Sequence, residues 1–147
     1  MANQSIPAAA SVAPPQIEVA AGLIFRRSTL LITQRYPDSH LGGLWEFPGG
    51  KREANETFEQ CLHRELREEL GIDVVVIEVV DSIVHAYPEK TVLLKFFRCS
   101  WQACEPQPLG CPDFRWVTRE ELSAFAFPPA DQRLLGTIQQ RVEWWRS

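Results

Sequence analysis

Blocks of β-branched residues alternate with two helix-like stretches, and their order sets the architecture. IEVAAGLIFR, starting at Ile17, reads as a strand, and Arg27-Ser28 turns the chain into a second strand, TLLITQR. Gly22 allows a bulge or a close approach in the first. YPDSHLGG is a loop, and LWEF is a short strand stopped by Pro48 and two glycines. Beyond Glu56, Leu62, Leu66 and Leu70 recur every fourth residue and mark the apolar stripe of a helix. Gly71 follows where a left-handed C-terminal cap belongs. IDVVVIEVVDSIVHAY predicts one or two strands. TVLLKFFRCSWQA predicts another, antiparallel to the last across the turn at Pro88-Glu89-Lys90. EPQPLGCPD is a proline-rich loop, DFRWV a short strand, and Arg119 to Phe125 a helical turn. A last helix is expected through DQRLLGTIQQRVEWW, with Leu134, Leu135, Ile138, Val142 and Trp145 facing the core.

Strands, helix, strands, helix, with no repeat, predict an α/β fold: a mixed sheet with helices on its faces. A length of 147 residues with 45% apolar content suits one domain with its own core. That domain is expected over residues 17–147. Residues 1–16, rich in Ala, Pro and Ser, are expected to form a disordered tail. The tail lacks the positive start of a signal peptide, and no run reaches the ~18 apolar residues of a membrane span.

A net charge of −4 argues against a protein that grips nucleic-acid polymers, which calls for a basic stripe. It does not exclude a single nucleotide whose charge a metal neutralises. The four cysteines show neither C-x-x-C nor zinc-site spacing, so a reducing, cytoplasmic setting is expected.

The predicted helix carries Glu65, Glu68 and Glu69 within a third of its circumference, at about 100° per residue. Three carboxylates so close raise one another's pKa or strain the helix. A solvated surface face is the plain alternative. A hard divalent cation is the other resolution, because Mg²⁺ takes oxygen ligands and keeps positions open for substrate phosphates. The preceding glycine pair, Gly49 and Gly50, lets a backbone carbonyl approach the same ion.

The full spacing decides between these. From Gly50 the chain reads G-x5-E-x7-R-E-U-x-E-E-x-G-U, with U aliphatic, and Gly50, Glu56, Arg64, Glu65, Leu66, Glu68, Glu69, Gly71 and Ile72 fill every slot. This resembles the box of the Nudix hydrolases. The resemblance implies an α/β/α sandwich around a mixed sheet, and Mg²⁺- or Mn²⁺-dependent attack of water on a phosphorus of a nucleoside polyphosphate. It implies metal ligands at Glu65, Glu68, Glu69 and the Gly49 carbonyl, with Arg64 orienting a glutamate and pairing with Glu56. Glu65, or else Glu68, would activate the water. Attack at the β-phosphorus would yield a monophosphate and pyrophosphate.

LWEFPGGK and FPPAD resemble the MutT-like branch of that family, which removes 8-oxo-dGTP from the nucleotide pool. By that resemblance Arg35 and His40 lie near the nucleotide, Phe47 packs on the base, Ala130 and Asp131 face its edge, and Lys90 stands across the pocket. For Phe47 the other reading is core packing; for Asp131 it is capping of the last helix.

Two departures stand out. Asp131 replaces an Asn that would both accept from N7–H and donate to O6 of an oxidised guanine. An ionised Asp only accepts, which suits the cytosine amino group and makes CTP or a modified dCTP the alternative substrate. Gly110 stands where many relatives carry an extra Glu ligand, with Glu105 and Asp113 the nearest acids. A non-catalytic base-sensing module is the rival class, and the intact box opposes it. The expected partner is a nucleoside triphosphate, met by a monomer or weak dimer.

Overall fold

The computed structural model describes residues 16–146. The expected tail therefore lies outside the described residues, except that Gln16 already opens the first strand. The strands are β1 (Gln16–Arg26), β2 (Thr29–Gln34), β3 (Trp45–Glu46), β4 (Gly49–Lys51), β5 (Asp73–Ala86), β6 (Thr91–Ala103) and β7 (Phe114–Thr118). The helices are α1 (Phe58–Leu70) and α2 (Gln132–Gln140), with 3-10 turns at Leu122–Ala124, Pro129–Asp131 and Val142–Trp145. The sheet runs β3-β2-β1-β6-β5, with β4 also on β1 and β7 also on β2. β1 pairs parallel with β6 and every other pairing is antiparallel, so the sheet is mixed.

β1 and β2 turn on Arg27 and Ser28, both left-handed at φ 49° and 65°. Two such residues in succession match the twist of a tight hairpin. The predicted β5 region is one strand, but its register on β6 shifts between Val76 and Glu78 and again between Val79 and Asp81. Each shift is a bulge that re-aims the following side chains.

β4 was not expected as a strand. Gly49 and Gly50 pair with Ala21 and Ala20 of β1, at the half of β1 that β2 does not cover. A Cβ on Gly49 would meet the Ala20 carbonyl oxygen at 2.0 Å, so no other residue fits that approach.

α1 starts at Thr57, whose side chain accepts from the Gln60 amide while Gln60 reaches back to the cap. It ends at Gly71, φ 70°, whose N–H returns to Arg67 and Leu66 carbonyls. Cys61, Leu62, Leu66 and Leu70 are buried against Ile24, Leu31, Phe97 and Cys99 on one sheet face. Leu134, Ile138, Trp144 and Trp145 pack on Phe25, Leu30 and Ile32 on the other. Helices on both faces make the α/β/α sandwich.

The last helix is shorter than its pattern predicts. α2 stops at Gln140, Arg141 leaves the helical region (φ −88°, ψ 70°), and a 3-10 turn follows. The break resets the periodicity. Val142, expected inside, is exposed, while Trp144 joins Trp145 in the core. Both stand edge-on to Phe25, at centroid distances of 6.4 and 5.1 Å.

Candidate active site

Glu56, Glu65 and Glu68 gather around the Arg64 guanidinium. Arg64 donates to both oxygens of Glu56 (3.1 and 2.8 Å), to Glu65 (3.1 Å), to Glu68 (3.2 Å) and to the Lys51 carbonyl (3.0 Å). Its hydrogen bonds hold Glu56 down at a pKa of about 2. They also raise the guanidinium pKa further, Glu56 contributing most. The expected Glu56–Arg64 pair is thus present, and it fixes the helix start to β4.

Glu65 lies against Gly50. A Cβ at position 50 would meet Glu65 Cδ at 2.2 Å, so the glycine leaves the space the carboxyl uses. Burial raises the Glu65 pKa despite Arg64. Glu68 is largely exposed on its Arg64 bond.

Glu69 turns the other way, into a cavity. Its Oε1 is buried with no hydrogen-bond partner among the described residues. Desolvation first, then the charges of Glu46 and Glu65, push it up to about 8. An orphaned, buried, hard oxygen donor beside Gly49 fits a divalent cation. Among the described residues no three acidic or histidine side chains stand at ligand spacing. Arg64 accounts for this by holding Glu65 and Glu68 on its own nitrogens.

The cavity has a volume of about 450 Å³, and Glu69, Gly49, Gly50 and Lys51 line it together with Arg35, Glu46, Phe47, Pro128, Ala130 and Asp131. Val19 and Ala21 of β1 and Val92, Leu94 and Phe96 of β6 complete the wall. These are alternate residues of two neighbouring strands, so one face of the sheet supplies them.

Phe47 packs in the core, as one of its readings expects, and it also faces the cavity. Its ring centroid lies 6.0 Å from that of Phe96 and 5.0 Å from that of Phe127. Asp131 stands at the N-cap position of α2, but its backbone is already helical and its side chain makes no cap hydrogen bond. It is a buried acid, and desolvation, then Glu46, push it up to about 6.

Arg35 lies in the cavity wall, donating to Glu46 Oε1 at 2.8 Å and to the His40 carbonyl at 2.6 Å. His40 enters only through that carbonyl, and its ring is not in the wall. Lys90 is not there either. It sits in the β5–β6 turn, where Tyr87 and Lys90 exchange backbone bonds, with its ammonium 5.6 Å from the Tyr87 ring centroid. Gly110 packs on the backbone of Glu69 and donates its N–H to the Glu69 carbonyl. Glu105 is bound to Arg26 and Asp113 to Arg115, and neither acid lines the cavity.

Glu46 and Lys51 are the charged cavity residues that sequence reasoning missed, and the apolar wall from β1, β6 and Pro128 was missed as well. Glu46 enters the wall because β3 pairs with the end of β2, which sets its carboxylate against Arg35.

A family model described as NUDIX domain matches residues 20–137. An 8-oxo-dGTP diphosphatase of Proteus vulgaris is 48% identical over 56% of this chain and 74% of its own. A CTP pyrophosphohydrolase of Escherichia coli is 40% identical over 81% and 88%. A solved structure from work on MutT of Aliivibrio salmonicida and Vibrio cholerae superposes with a TM-score of 0.65 at 31% identity, covering 86% of this chain and 98% of that one. The spacing of the acidic helix, its place behind the glycine pair and the mixed sheet therefore have one common explanation: the chain belongs to the Nudix hydrolase family, whose reaction is cleavage of an acid anhydride.

Proposed function

We propose that this enzyme hydrolyses nucleoside triphosphates to monophosphate and pyrophosphate, with 8-oxo-dGTP as its preferred substrate. One observation carries the reading: a single cavity joins an aromatic wall at Phe47 and a buried Asp131 to the carboxyl of Glu69 and the backbone of Gly49. A flat base fits the first part and a metal-bound polyphosphate the second.

Glu65, Glu68, Glu69 and the Gly49 carbonyl would hold Mg²⁺ or Mn²⁺, which neutralises phosphate charge and lowers the pKa of a water. Arg64 orients Glu65 and Glu68, and one of these two accepts the proton of the attacking water. Arg35, fixed by Glu46, flanks the nucleotide.

Without Lys90 in the wall, the donor to O6 must come from elsewhere. A protonated Asp131 supplies it and still accepts from N7–H. Its elevated pKa supports that form, because a bound base desolvates it further. Ionised Asp131 instead suits the cytosine amino group, and the relation to the CTP pyrophosphohydrolase keeps that second reading in play. Steady-state kcat/KM for 8-oxo-dGTP, dGTP, CTP and 5-methyl-dCTP with Mg²⁺ separates them. A preference for 8-oxo-dGTP over dGTP below about tenfold, or ~1.4 kcal/mol of transition-state preference, rejects the sanitising role.

Four free thiols, three of them buried, support a reducing cytoplasmic setting. The reading takes residues 17–147 as one catalytic unit, acting on free nucleotides as a monomer or weak dimer. Among the described residues no helix is long and apolar enough to cross a membrane.

A further inference from the structure

The segment from Ala126 to Arg133 crosses the cavity and carries Pro128, Ala130 and Asp131 into its wall. Among the described residues it bonds to the sheet at two points. At one end the Trp45 N–H of β3 donates to the Ala126 carbonyl at 2.8 Å. At the other, Arg133 donates one terminal nitrogen to both oxygens of Asp81, each at 2.9 Å.

The second point is built into the sheet. Asp81 follows the β5 bulge after Val79 and stands opposite Phe96, a wall residue of the same cavity. The bulge turns the acid toward α2. The Ser82 N–H donates to Asp81 Oδ1 at 2.9 Å and fixes the carboxylate further. Asp81 is mostly covered, with 20% side-chain exposure, whereas Arg133 is 72% exposed. A pair with so exposed a partner adds little to global stability. It ties the chain two residues beyond Asp131 to β5.

We propose that Asp81 and Arg133 are positioning residues that pin the base-reading segment over the cavity and thereby set nucleotide affinity. The inference rests on the cavity being the nucleotide pocket. Neither residue touches the substrate. Losing the pin frees one end of the segment, so the bound nucleotide must order it again, and that cost falls on binding rather than on the chemical step.

The test is a double-mutant cycle with Arg133→Gln, Asp81→Asn and the double variant, on the triphosphate that wild type turns over best. Each single change is expected to raise KM about five- to tenfold, with kcat within twofold and Tm nearly unchanged. The double variant should be no worse than either single, and Arg133→Lys should recover part of the loss. Raising salt should raise KM more steeply in wild type than in the double variant. Unchanged KM in the single variants, additive effects in the double, or a fall in kcat at constant KM overturns the pin. Wild type inactive on every triphosphate overturns both the pocket reading and the pin. Wild-type turnover with unchanged KM in the variants overturns the pin alone.

Discussion

Glu65 rests its carboxyl on the Cα of Gly50, with room for nothing between them. A Cβ at position 50 would lie 2.2 Å from Glu65 Cδ and 2.3 Å from its Oε1. Gly50→Ala therefore forces Glu65 out of place without touching the hydrophobic stripe of α1. A misplacement of about 1 Å in a reacting group costs on the order of a hundredfold in rate. The expected outcome is a loss of that order in kcat/KM with the helical circular dichroism retained. Near-wild-type turnover would show that Glu65 works from a different position.

Arg64 binds three glutamates and a carbonyl, so its removal should cost both activity and acid tolerance. Glu56 is held near pKa 2, below its ordinary 4.5, chiefly by hydrogen bonds from Arg64. A depressed carboxyl contributes stability that is present above about 4.5 and is lost as pH falls through about 2. Arg64→Gln removes that contribution. Thermal melts from pH 2 to 7 should show wild type losing Tm across this window, while the variant starts lower and its Tm changes less with pH. Parallel Tm–pH curves would mean that Glu56 draws its low pKa from elsewhere.

The helix that carries this chemistry was legible because its determinants are local: a stripe of Leu62, Leu66 and Leu70, an acid cluster, and a terminal Gly71. The break at Arg141 was not, because it depends on Trp144 and Trp145 both meeting Phe25, a contact far away in sequence. β4 was hidden for a related reason. Gly49 and Gly50 have poor strand propensity, and only the small Ala20 and Ala21 opposite them make the pairing possible. In the site, the box residues were readable because their spacing resembles the Nudix box. Glu46 was not, since its role depends on Arg35, Glu69 and Asp131 converging from other elements.

Glu69 should give opposite signs in two measurements. Its buried Oε1 has no partner, and the chain bears the cost of a desolvated carboxyl when no cation is bound. Glu69→Gln removes that cost and should raise Tm in the presence of a chelator. The same change should abolish the Mg²⁺-induced rise in Tm, which in wild type reports a stabilisation of about 2.7 kcal/mol at a hundredfold excess over Kd. Turnover should vanish in wild type with chelator and return with Mg²⁺. A variant still stabilised by Mg²⁺ like wild type would remove Glu69 from the metal site.

Asp131 makes the sharpest pH prediction. Burial, with Glu46 adding to it, raises its pKa from 3.8 to about 6. For a raised acid the sign is the reverse of Glu56. The native state favours the neutral form, so stability is fully present below about 3.8 and is lost as pH rises through about 6. Asp131→Asn is neutral at every pH and should escape that loss. Its Tm should match wild type near pH 4 and exceed it at pH 7.5, by an amount worth at most about 3 kcal/mol. The amide also both donates and accepts without a proton. If protonated Asp131 reads the oxidised base, wild-type kcat/KM for 8-oxo-dGTP should decline above the pKa of Asp131 in the free enzyme, and the Asn variant should stay flat there. For CTP the same substitution should lower kcat/KM, because the ionised acceptor for the amino group is gone. A wild-type profile flat from pH 6 to 9 on 8-oxo-dGTP, with the Asn variant equally flat, would take the proton on Asp131 out of base recognition.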